Sequence, residues 1–278
     1  MSSAAAARVE ARKLAAFLRR DLLQALSYRA AFVSDIVNVV IQVIVFGFVS
    51  KLIDASALPT VDGSWISYIE FAVVGILVSS FLQLGIGRVS TAVRTEQLMG
   101  TLEPLLATPT SLTVVQLGWV AYDLVYVPVR TIAFLLAVSI VADVSFNPGG
   151  VPATLVLLLV FLPFVWGLGV LGAATTITFR RGVGVVGLVT TLLSVTSGAY
   201  FPVTVLPSWL QRFAERNPLT MTIDTARELL LGGSAGWNEV WQTVAILVPA
   251  SILTLTVGVA AFGLALRRER RLGTTGSY

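Results

Sequence analysis

Histidine and cysteine are both absent from the 278 residues. Any chemistry must therefore come from carboxylates, hydroxyls, amides and guanidinium groups. Disulfides, thiolate chemistry, histidine metal sites and histidine acid–base catalysis are excluded. The polar residues that stand out lie inside long apolar runs. Asp35, Asn38 and Gln42 fall at i, i+3 and i+7, and Gln116, Asp123 and Arg130 are spaced by seven. Each trio forms one stripe on a helix. Asp123 and Arg130 stand about 10 Å apart along the axis at 1.5 Å per residue. That is too far for a direct pair, so each is expected to meet another helix. Glu70 lies near the end of its run and reads as interfacial.

These groups do not assemble into a catalytic motif. No Asp/Glu cluster has metal-ligand spacing, and there is no G-x-S-x-G nucleophile elbow. No G-x-x-x-x-G-K-[ST] loop is present to cradle phosphates. Gly182-Val183-Gly184-Val185-Val186-Gly187 matches a dinucleotide fingerprint in letters only. It opens an apolar run with no βαβ context, so close helix packing by small residues is the better reading. A membrane-embedded enzyme is disfavoured, and the chain is expected to bind no cofactor or metal itself.

The elements that must hold these residues follow from composition. The chain is 56% hydrophobic and 12% charged, with mean hydropathy +0.86, against about 25% charged residues in a soluble domain. Several runs reach the roughly 20 residues that cross a bilayer as a helix. They are continuous and do not alternate, which excludes an outer-membrane barrel. The expected fold is an all-α polytopic membrane protein, one permease-like domain over residues 1–278. Its spans are expected at 31–53, 67–87, 113–142, 153–179, 183–201 and 239–266. Pro128 and Pro163 are candidate kink sites. Within such a bundle each polar stripe has two readings: the lining of a translocation path or dimer seam, or interhelical pairing that fixes the bundle.

Orientation follows from the basic residues. Arg8, Arg12, Lys13, Arg19, Arg20 and Arg29 precede the first span. Arg88 and Arg94, Arg180 and Arg181, and Arg267, Arg268, Arg270 and Arg271 fall on the same side if the count is six. By the positive-inside rule that side is cytoplasmic, with both termini inside. The net charge of +4 is spent on these flanks, so no nucleic-acid partner is expected. No cleavable leader is expected either. Residues 8–29 place Leu14, Phe17, Leu18, Leu22, Ala25 and Leu26 on one face and basic residues on another, as in an interfacial helix. The Ala-, Val- and Arg-rich composition leads us to expect a bacterial inner membrane.

Two further segments have a distinct local grammar. In residues 94–109, Gly100 can end one helix, Thr101 can cap the next, and Pro104 can occupy its first turn before Pro109 stops it. This describes a short helix lying across the inner face. Residues 198–238 mix turn signals (Gly198, Pro202, Pro207, Pro218, Gly232, Gly233, Gly236) with Phe201, Leu206, Trp209, Leu210 and Phe213. They read either as an ordinary outer loop or as an outer re-entrant hairpin, which must be buried in protein where its backbone leaves the helical state.

The stretch Glu96 to Pro109, with Gly100-Thr101-Leu102-Glu103, Leu105-Leu106 and Thr108-Pro109, resembles the coupling-helix region of ABC-2 type permeases, the membrane subunits of type V ABC exporters. A second stretch is similar to that family's outer re-entrant segment: Ser197-Gly198-Ala199-Tyr200-Phe201-Pro202, Leu206-Pro207-Ser208-Trp209-Leu210, Asn217-Pro218-Leu219-Thr220 and Ala226-Arg227. The chain departs from the family at Gln97-Leu98-Met99, where charged residues are common. The resemblance implies coupling to an ATPase through Glu96, Gly100, Thr101, Leu102, Glu103, Leu105, Leu106, Thr108 and Pro109. It also implies a re-entrant segment built on Gly198, Phe201, Pro202, Pro207, Trp209, Asn217 and Pro218. Two ABC ATPase subunits would carry ATP and Mg, and a second permease copy or paralogue would complete the path. The cargo expected is amphipathic: a drug-like molecule, a lipid or a lipid-linked glycan. The alternative is an ion-gradient-driven secondary transporter, which predicts internal repeats and midplane carboxylates. No clear repeat relates residues 31–142 to 153–266, and Asp35 and Asp123 are the plausible proton carriers.

Overall fold

A computed structural model describes residues 3–27, 29–53, 58, 60, 61, 66–101, 104, 108, 110, 112–178, 182–232 and 236–272. Among them the chain is all-helical. The helices are α1 (Ser3–Ser27), α2 (Arg29–Ser50), α3 (Tyr68–Leu98), α4 (Leu112–Val120), α5 (Asp123–Ala142), α6 (Val151–Thr178), α7 (Gly182–Thr196), α8 (Ser208–Ala214), α9 (Pro218–Leu231) and α10 (Trp237–Leu272). Single 3₁₀ turns lie at Pro148–Gly150 and Val203–Val205.

Four stretches are long and apolar enough to cross a membrane: Tyr68–Glu96, Thr113–Ala142, Pro148–Thr178 and Trp237–Arg268. The runs expected at 31–53 and 183–201 yield shorter apolar helices among the described residues, Val37–Ser50 and Gly187–Thr196. The second of these stops early for a local reason. Gly198 adopts φ +72°, a left-handed turn that ends helical propagation. The run expected at 113–142 is interrupted at Ala121–Tyr122, where Leu124 N–H and Val125 N–H bond to carbonyls three residues back. Pro128 and Pro163 instead lie inside uninterrupted helices.

The centre of the bundle is α6. It packs against α10 along most of its length, against α3 on another side, and against α5, α7 and α9. Leu157, Leu158, Phe161, Leu162 and Val165 are fully enclosed. Glycines let the backbones approach. A Cβ on Gly167 would stand 2.5 Å from the Thr254 carbonyl carbon of α10, and one on Gly258 would stand 2.6 Å from the Gly167 carbonyl. On the other side Gly169 faces the Gly85 carbonyl of α3. Without a hydrophobic drive between helices in lipid, such small-residue contacts maximise dispersion.

The ends of these elements are closed by side chains. Ser67 and Glu70 form a reciprocal capping box on α3: Ser67 N–H donates to Glu70 Oε2 at 2.7 Å, and Glu70 N–H donates to Ser67 Oγ at 3.4 Å. Glu70, read from sequence as merely interfacial, therefore starts the helix. Asn217 accepts from Leu219 N–H at 3.0 Å with Pro218 in the first turn of α9. Its amide also donates to the Leu193 carbonyl of α7 at 3.2 Å.

Helix α9 is short and buried between α3, α6 and α10. Its Arg227 is 5% exposed. The guanidinium donates to the carbonyls of Phe71 (3.1 Å), Gly198 (2.8 Å) and Ala199 (3.4 Å) and pairs with Asp224 at 3.1 Å. It also lies over the Phe71 ring, 3.6 Å from the centroid. Burial lowers its pKa to about 10, opposed by Asp224, so it stays a cation at neutral pH. The 198–199 turn sits so close to α3 that a Cβ on Gly75 would stand 2.2 Å from the Ala199 carbonyl oxygen.

Gly75→Ala is expected to destabilise the protein by about 1–3 kcal/mol through overpacking. The readout is earlier thermal unfolding of the solubilised protein. Gly263→Ala, where a new Cβ meets nothing within 4 Å, is expected to leave the midpoint unchanged or slightly raised.

Candidate functional site

Three groups of side chains can do more than pack. The first is at the Gly100 end of α3. Gly100 adopts φ +68°, and Thr101 N–H donates to the Glu96 carbonyl at 2.9 Å, the six-to-one bond of a Schellman ending. The Glu96 carboxylate accepts from Thr101 Oγ1 and from Arg20 of α1, the latter at 3.5 Å. Glu96 thus ties α1 to Thr101, just beyond the end of α3. Of the other residues expected in this segment, Pro104 and Thr108 are exposed, and Leu102, Glu103, Leu105, Leu106 and Pro109 lie outside the described residues. Helix α1 runs along α4, with the Phe17 ring occupying the space a Cβ on Gly118 would fill.

The second group surrounds Asp123, the first residue after the interruption in the third run. Arg88 Nε of α3 pairs with Asp123 Oδ1 at 2.6 Å, and Trp166 Nε1 of α6 donates to Oδ2 at 3.0 Å. The Arg88 guanidinium also lies over Tyr122 and Tyr126. About two turns along the same stripe, Gln116 is buried and both of its amide atoms lack a partner among the described residues. Arg130 donates to Ser80 Oγ at 2.7 Å and lies over the Phe81 ring. The stripe expected from sequence therefore faces the interior of this chain, where Asp123 and Arg130 each reach a different residue of α3. The other stripe differs. Asn38 and Gln42 are exposed on α2, and the Asp35 side chain lies outside the described residues.

The third group was not singled out from sequence. A groove of about 700 Å³ runs between α3, the end of α6 and α7. Gln83, Gly87, Ser90 and Arg94 of α3 line one wall, and Gly187, Thr191 and Ser194 of α7 line another. The sequence carried a signal for it. Positions 83, 87, 90 and 94, and 187, 191 and 194, are both polar or small stripes at helical spacing. Each is diluted by apolar neighbours, and the groove exists only where the two stripes meet.

The residues expected in the outer segment sit together at the opposite end of α3. Gly198 turns the chain beneath Arg227, Phe201 and Pro202 are half-buried, and Pro207 precedes α8. Trp209 is 63% exposed on α8, whereas Asn217 and Pro218 start the buried α9.

Breaking the Arg88–Asp123 pair should reveal its structural weight. Arg88→Met leaves a carboxylate that is 5% exposed without its cation. Loss of one partner of a buried pair costs about 3–5 kcal/mol, and the lower end is expected because Arg88 is partly exposed. The double variant Arg88→Met/Asp123→Leu is expected to recover most of that loss in denaturant unfolding.

No curated protein matches the chain. Residues 12–231 match the family model described as ABC-2 type transporter. That match spans most of the chain and includes the larger part of α1, the Asp123 cluster, the groove and α9. The chain belongs to the ABC-2 type transporter family and is a multi-pass membrane permease of an ABC transporter.

Proposed function

We propose that this permease is the membrane half of an exporter that moves an amphipathic substrate out of the cytoplasm or the inner leaflet. The substrate is a drug-like molecule, a lipid or a lipid-linked glycan. In this reading α2, α3, the α4–α5 unit, α6, α7 and α10 are six spans of a bacterial inner membrane, with both termini and residues 94–109 cytoplasmic. Residues 198–238 form a re-entrant cap on the other side. Two ATPase subunits bind ATP and Mg and press on residues 96–109. A second permease, identical or paralogous, completes the path.

The observation that carries this reading is the continuity of α3. Its Gly100 end holds the Glu96–Thr101–Arg20 knot, its middle lines the groove, and its far end is clamped beneath α9. A push at residues 96–109 would thus reach the groove through one helix. Exposed Asn38 and Gln42 sit poorly against lipid and mark α2 as a place for the second permease. Asp123 and Arg130 act inside the chain, joining α5 to α3 through Arg88 and Ser80, and Gln116 is buried beside them.

The test is co-expression with candidate ABC ATPases, followed by affinity capture and transport in proteoliposomes. Capture of an ATPase, with transport that stops when ATP is withheld, is the expected result. Transport that persists without ATP and collapses with the proton gradient would instead establish the secondary transporter. Within the complex, Glu103→Arg is expected to leave the fold intact and ATP hydrolysis measurable while transport falls at least about tenfold, the effect of losing roughly 1.4 kcal/mol of coupling. Wild-type transport in that variant would remove residues 96–109 from the coupling role.

A further inference from the structure

The groove between α3 and α7 differs at its two ends. Toward Leu98 its walls stand apart. Thr91, Arg94 and Leu98 are exposed there, and a Cβ on Gly87 or on Gly187 would meet nothing within 4 Å. Helix α7 runs antiparallel to α3, so the turn at its end reaches Phe71 and Gly75. Gly75 lies about 12 Å beyond Gln83 at 1.5 Å per residue. At that level no gap is left. A Cβ on Gly75 would stand 2.2 Å from the Ala199 carbonyl oxygen, and Ala199 is fully buried.

Tyr200, the next residue, lines the groove beside this contact. Its ring stacks on Phe46 of α2, with centroids 5.8 Å apart and planes inclined by 17°. Its carbonyl accepts from the Tyr68 hydroxyl at 2.9 Å. Tyr68 in turn lies 6.3 Å from Phe46 and 6.5 Å from Phe71. Rings from α2, from the start of α3 and from the turn thus form one layer at the Tyr200 end. Arg227 holds the turn from α9 through the Gly198 and Ala199 carbonyls. These holds are side-chain contacts outside any helix ladder, so the turn can lift without unwinding α3 or α7.

We infer that the 198–200 turn, with the Tyr200 ring, is a barrier closing one end of the groove, and that Arg227 is its latch. With the turn seated on Gly75, the groove is entered from the Leu98 end alone. Lifting the turn breaks the Tyr200–Phe46 stack and the Arg227 bonds to Gly198 and Ala199. Asp224 and the Phe71 carbonyl still pair the guanidinium, so the buried cation is not stranded when the turn moves. The inference rests on the transporter reading only in treating the groove as a path.

The chain contains no cysteine, so a single introduced thiol reports alone. Thr191→Cys places one on the exposed α7 wall of the groove. The full-length protein is treated with a membrane-impermeant methanethiosulfonate, applied to one face of right-side-out or inverted membrane vesicles. Exposed Met99 and Val205, changed singly to cysteine, mark the face near Leu98 and the face near Tyr200. Thr191→Cys is expected to react from the Met99 face at least about tenfold faster than from the Val205 face, as a minor open state implies. Adding Tyr200→Ala should raise the rate from the Val205 face at least about tenfold, and Tyr200→Phe, which keeps the stack, should not. Arg227→Gln should act as Tyr200→Ala does, with thermal unfolding checking that each variant is folded. Gly258→Ala overpacks α6 against α10 and serves as the control for general loosening. It should lower the unfolding midpoint and leave the preference for the Met99 face intact.

Equal reaction from both faces with Tyr200 in place would overturn the barrier, as would reaction from the Val205 face alone or from neither. An unchanged rate in a folded Tyr200→Ala variant would overturn the role of that ring. Opening by Gly258→Ala to the same extent would reduce the effect to loosened packing and overturn the assignment. The measurement needs neither cargo nor ATP, so any of these failures leaves the transporter reading standing.

Discussion

A guanidinium withdrawn from water must find acceptors, and at Arg227 the segments around it are arranged to supply them. The turn after α7 offers the carbonyls of Gly198 and Ala199, α3 offers that of Phe71, and the Phe71 ring covers the remaining face. The Gly198 and Ala199 carbonyls lie in a turn, whereas that of Phe71 already belongs to the α3 ladder and takes Arg227 on its second lone pair. One side chain thus joins three segments distant in sequence, α3, the 198–199 turn and α9. The arrangement demands a left-handed Gly198 and a bare Gly75, because the turn lies directly on α3. Replacing either member of this contact disturbs the others, since their geometry is shared.

Below that clamp the packing changes character. Helix α6 is buried among α3 and α10 by size matching, with glycines where backbones meet and large aromatics where they diverge. Polar contacts between helices recur at the interruption of the third run, at Arg130–Ser80 and at Thr254–Phe164. At the interruption Asp123 receives Arg88 and Trp166, so the two halves of that run are tied to α3 and α6. The same region receives α1, whose Phe17 lies on Gly118. The interfacial helix is therefore in contact with the interruption by packing and with the end of α3 by charge.

Much of this was legible one helix at a time. Apolar runs located the principal helices, Gly100 marked the end of α3, and Asn217-Pro218 marked the start of α9. Ser67-Tyr68-Ile69-Glu70 was an unread capping box, since Glu70 at the edge of an apolar run satisfies an interfacial description equally well. What sequence did not reveal was pairing. The spacing of Asp123 and Arg130 excluded their meeting each other, but nothing local indicates Arg88 and Ser80 as their partners. The groove was hidden for the same reason: each wall alone is a weakly polar helix, and only tertiary packing sets them face to face. The end of α7 was legible in part, since Gly198 marks the turn locally while Arg227 of α9, distant in sequence, holds it in place.

Helix α3 runs unbroken for 31 residues; the 198–199 turn lies on it at Gly75, α5 and α6 hold it at Ser80, Gly85 and Arg88, and Glu96 ties it to α1 near its exposed terminus. Gly75 and Leu98 are about 35 Å apart at 1.5 Å per residue. A tilt of only about 5° around the clamped end would carry the far terminus about 3 Å along an arc over that length. Ser90, roughly two-thirds of the way along, would travel about 2 Å at the same rise per residue. Such a tilt would draw on the Arg88–Asp123 pair and the Gly85–Gly169 contact as well, so the width of the cleft beside α7 is tied to α5 and α6 together with the tip of α3.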